Sequence, residues 1–176
     1  MSDTSDSEPS SEAEPPPRWP RLLPWPSNLT SAVYGSVLAA SVVVGSGDSH
    51  GGWSLAIILL VTGFVFWLAH VYAETVASIH GGWHMGAIWH GLRHEWPLMF
   101  ASVPPAAAAA AAELFEGISP GQGAWLALIV AILEQQVWGL AAVRRAGLFG
   151  ADVTRTMLLN IGIGAIIVAL KLAVPH

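Results

Sequence analysis

The chain has no cysteine, a single lysine (Lys171) and little charge of either sign. Without cysteine there are no disulfides, thiolate metal sites or thiol redox chemistry, so any metal would be held by histidine and carboxylate. Charged residues make up 11% of the 176 positions, against roughly 25% in soluble domains. Apolar residues make up 53%. Polar groups too few to cover the surface imply that part of the solvent is lipid. The formal net charge is -5, but Asp3, Asp6, Glu8, Glu12 and Glu14 all precede the first base, Arg18, leaving seven acids against seven bases in the rest. A neutral body offers no basic surface for phosphate contacts, which argues against a nucleic-acid partner. The phosphate-cradling GxxxxGK, the nucleophile elbow GxSxG and the zinc-protease HExxH are also missing. With short loops and no room for an extramembrane domain, the sequence points to no enzyme and no cofactor.

What is present is a set of apolar runs. Residues 1–28 are rich in Ser, Pro, Asp and Glu and cannot repay the entropy of ordering, so they are expected to form a disordered tail. A secretory signal starts with a basic region, whereas this tail is acidic, so it is expected to stay cytoplasmic and uncleaved. Residues 29–176 form the membrane domain, with apolar segments near 31–47, 53–76, 98–116, 124–143 and 157–174. Most approach the roughly 20 residues that cross a hydrocarbon core of about 30 Å. The first is short, and the third contains Pro104 and Pro105 before a run of alanines, which predicts a kink or a re-entrant break. The expected fold is all-α, a polytopic helix bundle of about five transmembrane helices with a short in-plane helix.

Charge orients these segments, because Lys and Arg are retained on the cytoplasmic side. With five spans and the tail inside, Arg18, Arg21, Arg93, Arg144, Arg145 and Arg155 all fall inside, while the loops around Asp48 and Ser119 carry no base. Four spans would place Arg93 and Arg144 on opposite faces. Trp25 and Trp96 fall at the inner boundaries and Trp53 and Trp125 at the outer ones, as interfacial tryptophans do. Between the second and third spans, Met85, Ile88, Trp89, Leu92 and Trp96 make one apolar stripe, with His90, Arg93 and His94 opposite, which reads as an interfacial helix.

Ionisable groups inside a bilayer cost at least about 2.5 to 3.5 kcal/mol at the centre and are the first place to look for function. Glu134 lies near the middle of the fourth span, beside Gln135 and Gln136. It is a candidate for ion or proton movement, against the preferred reading in which the three side chains lock helix packing. His70 and Glu74, four residues apart, share a helix face and could hold a proton or two metal ligands. A tetrahedral site would need more, from His80, His84 or another helix. His80, His84, His90 and His94 form two HxxxH spacings, a weak metal signal without an enclosed glutamate, and snorkelling at the interface is preferred. Glu113, Glu116 and Lys171 are expected at similar depth as a structural ion pair.

The stretch Val65-Phe66-Trp67-Leu68-Ala69-His70-Val71-Tyr72-Ala73-Glu74 resembles a segment of small, uncharacterised actinobacterial integral membrane proteins. Tyr34-Gly35 sits where those chains often have a similar pair. The resemblance covers the first two spans and implies a plasma-membrane location and no activity. The sequence therefore leads to a non-enzymatic membrane component whose partners are the bilayer and itself or another membrane protein. The alternative is a small transporter or channel for protons or a divalent cation, with Glu134 as the midplane carrier and His70 and Glu74 at the inner mouth.

Overall fold

The computed structural model describes residues 28–46, 50–77 and 85–173. The tail up to residue 27 with Trp25, the loop at Asp48, and His80 and His84 lie outside the described residues. Within them the chain is all helix: α1 (Leu29–Gly45), α2 (Gly52–Ala77), α3 (Met85–His94), α4 (Trp96–Phe100), α5 (Val103–Glu113), α6 (Pro120–Arg145) and α7 (Ala151–Ala173). Three of these, α2, α6 and α7, are long and apolar enough to cross a membrane; α1 is a shorter apolar helix.

Helix ends follow local chemistry. Asn28 caps α1, its side chain accepting from the Ser31 N–H at 3.2 Å, so the last residue assigned above to the tail is part of the helix cap. Ser119 and Gln122 form a capping box with Pro120 in the first turn, which starts α6 four residues before the apolar run at 124. At the other end Gly147 has φ +70°. The Leu148 N–H bonds the Val143 carbonyl at 3.2 Å and the Gly147 N–H the Arg144 carbonyl at 3.1 Å, a Schellman closure that needs the left-handed glycine.

The single third span expected over 98–116 is two helices. The break falls at Ala101 and Ser102, ahead of the double proline, because prolines lack an N–H and fit the first turn of α5, where none is required. Ser102 Oγ donates to the Met99 carbonyl at 2.7 Å, an acceptor that the Ser102 N–H also reaches at 3.1 Å. The broken segment is clamped by glycines on its neighbours. A Cβ on Gly35 would lie 2.5 Å from the Leu98 carbonyl oxygen, and one on Gly63 would collide with Ser102 Oγ.

The buried core is built from small residues, with Ala39, Ala40, Ala106, Ala109, Ala124, Ala127 and Ala131 joining Val43, Leu55, Leu59 and Leu128. The large apolar side chains point outward: Ile57, Val61 and Val65 on α2, Ile129, Leu133 and Val137 on α6, Leu158, Leu159 and Ile166 on α7. Water would penalise that arrangement heavily, whereas lipid tails are as apolar as leucine and helix contact there favours small residues. The fold is an α-helical bundle of membrane type.

Candidate functional site

The densest set of ionisable groups forms where the C-terminal end of α2 meets the junction of α3 and α4. Gly91 on α3 faces α2 here, and a Cβ there would sit 3.3 Å from a Val71 methyl and 3.4 Å from Glu74 Oε2. The last turn of α3 then turns His94 inward, and Glu95 follows in the one-residue gap before α4. One ligand atom from each of Glu74, His94 and Glu95 lies within 4.8 Å of the others.

Glu95 is only 5% exposed and is held from three directions. His94 Nδ1 lies 3.0 Å from its Oε1, and Asn28 Nδ2 donates to the same oxygen at 2.8 Å. The Ser31 hydroxyl donates to Oε2. Asn28 Nδ2 is also 3.4 Å from His94 Nδ1, so the start of α1 is fastened to the α3–α4 junction. Glu74 contributes differently: its Oε2 is buried and has no hydrogen-bond partner among the described residues. The arrangement brings one imidazole and two carboxylates together, a donor set that suits a proton or a divalent cation.

This differs from the sequence expectation at several points. His70 does not share the site: its exposed ring packs against Tyr34 with centroids 5.7 Å apart. His94 does not snorkel with the interfacial residues but is half-buried beside Glu95, with the exposed His90 stacked on it at 5.5 Å. Met85 and Trp89 of α3 do keep their apolar stripe free, at 70% and 58% exposure. Glu95, Asn28 and Ser31 carried no periodic or motif signal. The one available hint was a carboxylate adjacent to His94 in an aromatic stretch whose only other fixed charge is Arg93.

Glu134 lies half-buried on α6 and its Oε1 accepts from Trp138 Nε1, one turn along the same helix, at 2.9 Å. Its Oε2 and the side-chain amide atoms of Gln135 and Gln136 are buried without hydrogen-bond partners among the described residues. Gln135 is fully buried. At the far end of the bundle, Glu113 accepts from the Trp53 N–H at 2.8 Å, placing an anion on the positive end of α2. A cavity of about 260 Å³ opens beside it, lined by Gly51, Gly52, Ser119 and Gly123 with Glu113 as its ionisable residue. Glu116 is exposed, and buried Lys171 sits 5.6 Å from the centroid of the Trp125 ring. The expected triad is thus divided, with Glu113 committed to α2 and Lys171 to the α6–α7 side.

These features define an all-helical, membrane-type bundle with a mixed imidazole–carboxylate cluster at one end. No family model, curated protein or solved structure matches the chain.

Proposed function

We propose that the chain is a non-enzymatic, multi-pass component of the cytoplasmic membrane that crosses it five times and packs with itself or another membrane protein. The observation that carries this reading is the inverted distribution of apolar size, small residues inside and large ones outside. α1, at 17 residues, is about 25 Å long at 1.5 Å per residue and reaches the lower limit for a span. α4 and α5 cross together as one broken segment. The acidic tail then lies inside with every arginine, and the C-terminus outside. The absence of native cysteine makes the topology directly testable with a membrane-impermeant maleimide on intact cells. Glu116→Cys is expected to label, and Ser10→Cys and Leu148→Cys only after permeabilisation; external labelling of Leu148→Cys would refute five crossings.

A transport reading has one specific observation behind it, the orphaned polar atoms of Glu134, Gln135 and Gln136. Such atoms call for water, an ion or polar groups of a neighbouring copy. The crevice beside the α4–α5 break, lined by Gly35, Leu59, Gly63 and Ser102, has essentially no volume for water (≈ 0 Å³). Neither this crevice nor the cavity at Glu113 is lined by Glu134. Packing therefore remains the proposal. Proton and divalent-cation flux in proteoliposomes separates the two: no flux in wild type or Glu134→Gln, with a dissociated or less stable variant, is expected, whereas flux abolished by Glu134→Gln would make the protein a transporter.

A further inference from the structure

We infer that Glu74, His94 and Glu95 form a binding site for a divalent transition cation of the zinc class, which staples α2 to the α3–α4 junction. This goes beyond the proposed membrane role and does not depend on the bundle's orientation.

Four observations converge on it. The donors come from separate elements yet lie within 4.8 Å of one another. Bonds of about 2.1 Å in a tetrahedral site place ligand atoms about 3.4 Å apart, so rotation of the Glu74 and His94 side chains by about an ångström would complete the set. Glu74 Oε2 is buried and unpartnered, while Glu95 is fully engaged and 5% exposed. Two carboxylates in one half-buried site repel, and a divalent cation between them removes that repulsion. The cluster also sits at the C-terminal ends of both α2 and α3, whose carbonyls add negative potential, and at the starts of α1 and α4, which offset part of it. Finally, the second layer is already in place, because Asn28 and Ser31 both donate to Glu95, as groups behind metal-binding carboxylates usually do.

The donor set selects the cation. One nitrogen and carboxylate oxygens suit zinc and its neighbours, whereas calcium takes six to eight oxygens and magnesium keeps most of its water. The chain has no cysteine to compete for the metal. Ligation would hold the α3–α4 junction against α2 and, through Glu95, the first turn of α1.

The test uses the full-length protein in nanodiscs, stripped with chelator and titrated with Zn²⁺ by calorimetry, with zinc-edge X-ray absorption on the loaded sample. One equivalent is expected, with a nitrogen and oxygen shell containing a single imidazole and a raised thermal midpoint. Glu74→Gln and His94→Asn should each weaken binding at least tenfold, while Glu134→Gln should leave it unchanged. Because Glu74 Oε2 makes no hydrogen bond among the described residues, metal-free Glu74→Gln should keep the wild-type midpoint; should one variant not fold, the other and the absorption spectrum decide. No binding by wild type, equal binding by wild type and Glu74→Gln, or a shell with several imidazoles from the exposed histidines would overturn the site.

Discussion

Replacing Gly35 by alanine tests whether α1 and the broken α4–α5 segment are held by direct backbone contact. The added Cβ would stand 2.5 Å from the Leu98 carbonyl oxygen and 2.9 Å from the Ala101 Cβ. Ordinary contact begins near 3.4 Å, so α1 and α4 must separate by about 0.9 Å along a crevice with no spare volume. Overpacking of this kind costs about 1 to 3 kcal/mol, and alanine's better helix propensity returns about 0.5 to 1 kcal/mol. The net loss is expected to be about 1 to 2 kcal/mol, a roughly 5- to 30-fold drop in the folding equilibrium constant. The effect should reach the cluster as well, since Ser31 lies one turn before Gly35 and Glu95 directly precedes α4. Gly162→Ala is the control: nothing lies within 4 Å of its Cβ position, so only the propensity gain remains. Steric-trapping measurements of both variants in bicelles give the comparison directly. Equal shifts in the two variants would refute the close α1–α4 contact.

Two further outcomes follow from the packing. Leu128→Ala, at a fully buried core position, should cost about 2 to 4 kcal/mol through the cavity it leaves, while Leu159→Ala, at 69% exposure, should change stability by less than about 0.5 kcal/mol because lipid refills the space; comparable losses in bicelles would mean that α7 faces protein. Glu113→Gln keeps an oxygen for the Trp53 N–H but removes the charge at the start of α2, and a loss of about 0.3 to 1 kcal/mol that shrinks with added salt is expected from salt-dependent unfolding.

Hydropathy located the three long apolar helices α2, α6 and α7 and the shorter α1, because a long run of apolar side chains needs no tertiary information to be recognised. Its errors were at the ends, where polar capping residues such as Ser119 and Gln122 lie outside the apolar window but inside the helix. The prolines signalled a break, but its position at Ala101 and Ser102 reflects which backbone groups the neighbouring helices can cover. Glu74, Glu134 and Glu113 stood out in the sequence because a carboxylate in an apolar segment is conspicuous by itself. Their partners were invisible there: Glu113 was matched by depth to Lys171 and instead meets the start of α2, and Glu74 was matched by helical spacing to His70 and instead meets His94 and Glu95.

The sequence by itself determined the helical architecture and which helices are long and apolar, since both depend on the chemistry of consecutive residues. Only the tertiary structure decided which of the scattered ionisable groups share a site. Asn28, Ser31, Glu74, His94 and Glu95 come from three parts of the chain, and their meeting depends on how α1, α2 and the α3–α4 junction pack against one another. No local propensity records a contact between residues 66 or 67 positions apart.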